Sequence, residues 1–143
     1  MREKYLGDSY DLVKRFWCES LKPIAPLYAY SKFVPAGIRA EYTAATLIPM
    51  LESQPRGRFG ILLDPDTGIP LPDESFGRET ASHAPLPFVV QINEELRPTY
   101  MICFDQSYHR KHRLTKVEQR GLKRESLRKR GIALTCPPFL VQS

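Results

Sequence analysis

The spacing of apolar residues along the chain predicts helices that alternate with short strands. Apolar side chains recurring every three or four residues predict helices at residues 10–21, 36–51, 86–96 and 115–130, the second with a bend or an end near Pro49. Continuous apolar runs predict strands at residues 26–33, 58–63, 99–104 and 132–135, with residues 5–6 and 139–141 as further candidate strands. This alternation indicates an α/β fold, here a three-layer sandwich with a mainly parallel sheet of about four or five strands.

Two of these helices have patterns that indicate their ends and their apolar faces. The first begins at a cap formed by Asp8 or Ser9. Its apolar residues at helical spacing are Leu12, Val13, Phe16, Trp17 and Leu21. In the last helix, Val117, Leu122 and Leu127 are predicted to face inward, before Gly131 ends the helix.

Length and composition predict a single domain over residues 1–143. A chain of 143 residues can bury one sizeable core, and 42% hydrophobic with 26% charged residues is ordinary for a soluble protein. No stretch approaches the ~20 apolar residues of a membrane span, and the charged start does not resemble a secretory signal. We therefore expect a cytoplasmic protein whose three cysteines, which form no CxxC pair, are buried reduced thiols.

Positive charge is concentrated near the end of the chain. Residues 109–130 hold ten Lys or Arg and two Glu, a net charge of +8, so the overall +5 leaves −3 for the rest. Such an excess favours contact with phosphate groups, although a solvated helix face also tolerates Lys and Arg. The residues predicted to contact nucleic acid are Lys14, Arg110, Lys111, Arg113, Arg120, Arg124 and Arg128. The tyrosines that could stack on bases are Tyr10, Tyr42 and Tyr108.

Four aspartates stand directly after predicted strands. They are Asp8, Asp64, Asp66 and Asp105. Because ligand sites in parallel sheets lie outside the carboxyl ends of the strands, we expect these acids to converge at one edge. Asp11, about one helical turn after Asp8, points to roughly the same edge, and Glu41 on the second helix could complete the set.

A cluster of carboxylates predicts a metal site. Like charges repel unless a cation holds them, and hard oxygen ligands suit Mg²⁺ or Mn²⁺. Asp64 and Asp105 are the strongest candidates, because each ends a clear apolar run. The alternative is local: Asp8 caps a helix, and the sequence from Asp64 to Gly68 forms a turn.

Two segments resemble PIN-like nucleases. Residues 4–14 (KYLGDSYDLVK) are similar to the opening of that family, a short strand, an Asp and a hydroxyl residue before an apolar helix. Residues 102–108 (ICFDQSY) are similar to its later strand that ends in Asp. The two segments cover 18 of the 143 residues, and the resemblance implies that Asp8 and Asp105 are metal ligands.

Residues 64–68 (DPDTG) resemble two other families instead. Their Asp-x-Asp is similar to the strand end of haloacid-dehalogenase phosphatases, with the following Gly-Thr reversed. Their start is similar to the Asp-Pro-Pro motif of adenine methyltransferases, but the chain has no Gly-rich cofactor loop.

These patterns together predict a metal-dependent phosphodiesterase or nuclease that acts on nucleic acid. Asp8, Asp64 and Asp105 are the predicted catalytic residues, and Asp66 joins them as a ligand of Mg²⁺ or Mn²⁺. Lys14 or Arg110 would neutralise the scissile phosphate. The alternatives are a non-catalytic nucleic-acid or protein-binding module and a phosphatase- or methyltransferase-related domain. No membrane partner is predicted, and assembly as a homo-oligomer stays open.

Overall fold

The computed structural model describes residues 6–72, 82–106 and 113–134, and these contain four helices and four strands. Helices and strands alternate along the chain except that β2 is followed directly by β3. The helices are α1 (Ser9–Leu21), α2 (Arg39–Thr46), α3 (Leu86–Leu96) and α4 (Lys116–Lys129). The strands are β1 (Leu27–Tyr30), β2 (Met50–Leu51), β3 (Gly60–Leu63) and β4 (Tyr100–Cys103). No helix within the described ranges is long and apolar enough to cross a membrane.

The strands form one sheet in the order β2-β1-β3-β4, and every pair is parallel. The α/β class predicted from the sequence is therefore confirmed. Between β3 and β4 the register places Leu62 opposite Ile102 and Leu63 opposite Cys103. The carboxyl ends of these two strands are thus level, and they support the candidate site.

Successive residues of β3 alternate between the two faces of the sheet. Ile61 and Leu63 join a buried cluster with side chains of α3 and α4. Leu62 joins a second cluster that contains Tyr42 of α2. Because strand side chains alternate, Asp64 returns to the face of Leu62, where α1 and α2 lie.

Helix α1 begins and ends as predicted, but its apolar residues are largely exposed. Leu12 is 65% and Phe16 57% exposed, whereas Asp11 and Lys14 are buried. An apolar residue normally occupies the buried face of a helix. Here the opposite charges of Asp11 and Lys14 compensate each other, which lets this face pack inward.

The helix predicted over residues 36–51 is wrong in its length. A short 3-10 turn, Ala36–Ile38, precedes α2, and Leu47 ends α2 with a left-handed φ of 61°. The Thr46 hydroxyl accepts the N–H of Ile48 at 3.2 Å, which supports the turn. Pro49 then disfavours helix in the residue before it, and the chain continues as β2.

The inward face predicted for the last helix is correct for one residue of three. Leu127 is buried, but Val117 is 78% and Leu122 38% exposed. The buried row is Gln119, Lys123 and Leu127, at four-residue spacing, because hydrogen bonds and an ion pair satisfy its two polar members.

The predicted strands at the two ends of the chain are only partly covered by the described residues. Residues 132–134 form no strand, which corrects the prediction for that part of 132–135. Leu6 lies in a turn. Residues 5, 135 and 139–141 lie outside the described residues.

Candidate functional site

The N-terminus of α1 contributes the first acid of the site. Asp8 caps the helix, since its Oδ1 accepts the backbone N–H groups of Tyr10 at 2.8 Å and Asp11 at 3.2 Å. Gly7, with φ of 80°, donates its N–H to Oδ2 of Asp11 at 2.7 Å. A left-handed residue is therefore needed at position 7 to bring the chain back over the first turn.

A buried ion pair joins α1 to the carboxyl end of β3. The Lys14 ammonium lies 2.7 Å from Oδ2 of Asp64 and 3.0 Å from Oδ1 of Asp11. Lys14 and Asp64 are only 3% and 4% exposed. The Tyr42 hydroxyl donates to the same Asp64 oxygen at 3.0 Å. These four side chains therefore form one hydrogen-bonded unit beneath the strand end.

Tyr42 is a neutral donor in this unit. Burial, and then the neighbouring charge of Asp64 and its hydrogen bond, raise the pKa of the Tyr42 phenol well above its ordinary value. The hydroxyl thus stays protonated at any physiological pH and donates a hydrogen bond to Asp64. Full burial also means that Tyr42 cannot stack on a base, which corrects that prediction.

Asp8 and Asp64 share one arrangement of their carboxylate oxygens. Asp8 receives both hydrogen bonds on Oδ1, and Asp64 receives Lys14 and Tyr42 on Oδ2. Among the described residues, the second oxygen of each carboxylate has no protein partner, and no fully buried polar side-chain atom lacks one. One oxygen therefore fixes each carboxylate while the other is open to the adjoining space.

A cavity of about 220 Å³ lies at this edge of the sheet. Its lining residues are Asp8, Tyr10, Lys14, Asp64, Pro65, Asp66, Phe104 and Gln106. Three of the four predicted metal ligands thus face one space, together with the predicted phosphate contact Lys14. This convergence is what the strand-end argument predicted for Asp8, Asp64 and Asp66.

Asp105 does not line this cavity, and the register of the sheet explains why. Since Leu63 pairs with Cys103, Asp64 is level with Phe104, and Asp105 is one residue further along. A shift of one residue reverses the face of the sheet. Asp105 accordingly contacts Lys123 of α4, whose ammonium lies 3.2 Å and 3.0 Å from its two carboxylate oxygens.

Asp105 also holds the segment that carries Asp66. Its Oδ1 accepts the backbone N–H of Ile69 at 3.0 Å. Gly68 lies directly against it, with φ of 121°, and a Cβ there would collide with the Asp105 carboxylate. The turn predicted for residues 64–68 is thus tied to β4 and α4, and Asp105 acts on it through backbone contacts.

The basic residues predicted to contact nucleic acid are divided between several places. Arg113 is exposed, and so are Arg120, Arg124 and Arg128 at four-residue spacing on α4. Lys14 is not on the outer surface: it is 3% exposed and lies in the cavity wall. Tyr108, Arg110 and Lys111 lie outside the described residues.

Other predicted ligands do not join the cavity. Glu41 is exposed in the first turn of α2 and is absent from the cavity lining. Across residues 6–72, 82–106 and 113–134, no group of three or more His, Cys, Asp or Glu side chains is placed to hold a metal ion. Cys18 and Cys103 are free thiols, and burial raises the pKa of Cys103 well above its ordinary value.

The sequence analysis missed the role of Asp11, Lys14 and Tyr42 as one unit. A signal for the first two was present: positions 11 and 14 are polar and share a helical face separate from the apolar residues 12, 13 and 16. Nothing local marked Tyr42, because its contact with Asp64 spans 22 residues of sequence.

Comparisons with known proteins leave the site to be interpreted from its own geometry. No protein-family model matches the chain, and neither a curated protein nor a solved structure matches it.

Proposed function

We propose that this protein is a metal-dependent phosphodiesterase that acts on nucleic acid in the cytoplasm, with its reaction centre in the cavity at the ends of β3 and β4. One observation carries the proposal. Asp8 and Asp64 each have one oxygen held by protein donors and a second oxygen open to the same cavity. Carboxylates fixed in this way are preorganised to bind a cation.

The charges around the cavity favour a divalent cation. Asp8, Asp64 and Asp66 line it, and among the described lining residues Lys14 contributes the one opposing charge. Mg²⁺ commonly uses one or two carboxylates, several waters and the phosphate of its substrate rather than a complete protein cage. Asp8 and Asp64 supply such a pair, and Asp66 is the further acid at the cavity.

Lys14 has two roles in the proposed site. Its ammonium has three donors, of which the carboxylates of Asp11 and Asp64 take two. The third is available for a non-bridging phosphate oxygen, whose charge it would help to neutralise. A bound metal would supply an attacking water of lowered pKa. Lys14 and Tyr42 hold the Asp64 carboxylate in a fixed orientation beside the cavity.

The proposal agrees with the PIN-like resemblance at Asp8, which lines the cavity. It departs from the resemblance at Asp105, which pairs with Lys123. We therefore assign the metal to the pair Asp8 and Asp64, keep Asp66 as a further acid at the cavity, and give Asp105 a positioning role for the segment of Asp66.

Replacing Asp8 by Asn tests this assignment. Asn caps a helix as well as Asp does, so Asp8→Asn should leave the thermal midpoint nearly unchanged. Loss of the charged oxygen should lower Mg²⁺ or Mn²⁺ affinity and cleavage of RNA or DNA by roughly 10- to 100-fold. Calorimetric metal titration and product analysis on gels measure the two effects.

Glu41→Gln is the matched control for Asp8→Asn. It removes an exposed acid that does not line the cavity, so metal affinity and cleavage should stay at the wild-type level. Equal metal affinity and equal cleavage in Asp8→Asn and wild type would exclude the proposed site.

The arginine row of α4 favours a second candidate function, non-catalytic binding of nucleic acid. Arg120, Arg124 and Arg128 are exposed and recur every four residues, about 6 Å apart along the helix. Whereas the cavity is acidic, this row of arginines is basic and can contact the phosphate backbone. A protein that binds through α4 and cleaves nothing would support this function instead.

The triple variant Arg120→Gln, Arg124→Gln and Arg128→Gln tests the second candidate. A plot of log affinity for a single-stranded oligonucleotide against log salt should become shallower by roughly 2, since each lost phosphate contact lowers the slope by about 0.7. The matched control replaces three exposed cations elsewhere, Lys22, Arg56 and Arg58, by Gln. Equal slopes in the two triple variants would mean that only net charge matters.

A further inference from the structure

The cavity is too small to enclose a whole nucleotide. Ligand pockets for organic molecules commonly measure about 300–1,000 Å³, whereas this cavity is about 220 Å³. A phosphodiester with a hydrated cation fits such a space, but its attached sugar and base do not. The remainder of the substrate must therefore lie on the rim.

The rim offers an aromatic side chain in a fixed position. Tyr10 lines the cavity and is 45% exposed. Its ring packs edge-on against Phe104, with centroids 5.3 Å apart and planes at 75°. Phe104 is itself held by Trp17, at 6.0 Å, and by the Lys14 ammonium 5.3 Å from its ring. The Tyr10 ring is thus partly exposed and is held in position by its packing against Phe104.

We propose that Tyr10 stacks on the base beside the phosphodiester held in the cavity, and that the site therefore takes single-stranded nucleic acid. This inference rests on the proposed function. A base can cover the Tyr10 ring only after it leaves its stack, which a single strand allows at low cost and a duplex opposes. Asp64 and Lys14 are also recessed, at 4% and 3% exposure, so the phosphate must bend inward to reach them.

The exposed apolar side chains of α1 do not share this role. Phe16 is 57% exposed on the same helix but does not line the cavity. It therefore provides a matched control, because Phe16→Leu removes an exposed ring from α1 at a distance from the phosphate.

Cleavage of two strands of equal length tests the inference. One is a hexanucleotide, and the other has the same phosphodiester backbone without bases. In Mg²⁺, kcat/KM for the base-bearing strand should exceed that for the abasic strand by roughly 5- to 150-fold, the effect of one stacked base. Tyr10→Leu should abolish this preference, while Tyr10→Phe and Phe16→Leu should keep it. A duplex of the same sequence should be cleaved more slowly than the single strand.

The outcomes separate this inference from the proposed function. If wild type cleaves the two strands equally, or if Tyr10→Leu keeps the preference, Tyr10 does not stack on the substrate although the phosphodiesterase proposal stands. Cleavage of the duplex as fast as the single strand would overturn the single-strand assignment. If neither strand is cleaved, the proposed function fails and the inference fails with it.

Discussion

Replacing Lys14 by Met should destabilise the protein by roughly 3–5 kcal/mol, a large part of the 5–15 kcal/mol that holds a typical domain folded. Met keeps the unbranched apolar stem but removes the ammonium between Asp11 and Asp64. Both carboxylates are buried, so each would retain a charge without its cation. The Tyr42 hydroxyl and the Gly7 N–H would then be the only described donors left to them. Urea unfolding at pH 7 measures the loss.

A matched lysine variant separates this loss from a general effect of removing a positive charge. Lys22→Met, the same change at an exposed lysine where α1 ends, should stay within about 0.5 kcal/mol of wild type. An equal loss of stability in Lys14→Met and Lys22→Met would mean that the burial of Lys14 adds nothing to the effect.

The sequence predicts best those elements whose ends are marked by proline or whose residues form one continuous apolar run. Helix α3 spans the predicted residues 86–96 because Pro85 and Pro87 fix its start, and Arg97 ends it in the left-handed region. Strands β3 and β4 lie inside the predicted apolar runs. Such runs suit strands that are buried on both faces, which holds for β3, whereas β4 at the edge of the sheet is half-buried. Helix α2 was overextended because its alanine-rich pattern continues past Thr46, whose side chain instead supports a turn.

The faces of the helices were harder to predict than their ends. The apolar pattern assigns Leu12 and Phe16 to the buried face of α1, but that face is occupied by Asp11 and Lys14. Charged residues can be buried when they are paired and hydrogen-bonded, and their partners lie on other elements. Asp64 is 50 residues from Lys14 in sequence, so the compensation that makes this packing possible is visible only in three dimensions.

The same limit applies to the candidate site. The strand-end rule placed Asp64 and Asp66 correctly at the edge of the sheet, because it needs only the order of strand and loop. Asp8 reaches the same cavity from the N-terminus of α1, and Leu6 before it lies in a turn rather than in the predicted strand. The rule failed to exclude Asp105 from that cavity, since the face of a side chain depends on the register between strands. Asp64 is level with Phe104 in the register of β3 and β4, and this single-residue offset directs Asp105 to the opposite face.

The contact between Asp105 and Lys123 leads to the second large expected effect, a loss of roughly 2–3 kcal/mol of folding stability in Lys123→Met. This is below the loss of about 3–5 kcal/mol expected for a fully buried pair, because the Asp105 side chain is 20% exposed. Lys129→Met, which breaks the exposed pair with Glu125 on the same helix, should cost at most about 1 kcal/mol. Equal losses in the two variants would show that the position of Lys123 gives it no special weight.

A local measurement shows whether the ion pair between Asp105 and Lys123 positions the segment that carries Asp66 or only stabilises the fold. Asp105 receives both Lys123 and the N–H of Ile69, so removing the lysine should release the carboxylate and weaken the bond to Ile69. Hydrogen exchange at the Ile69 amide should then accelerate by more than the global loss of stability accounts for. In the double variant Asp105→Asn with Lys123→Met, the losses should fall short of additivity by about 0.5–3 kcal/mol, the coupling expected for residues in contact. Additive losses with unchanged relative protection at Ile69 would mean that Asp105 does not connect α4 to the segment that carries Asp66.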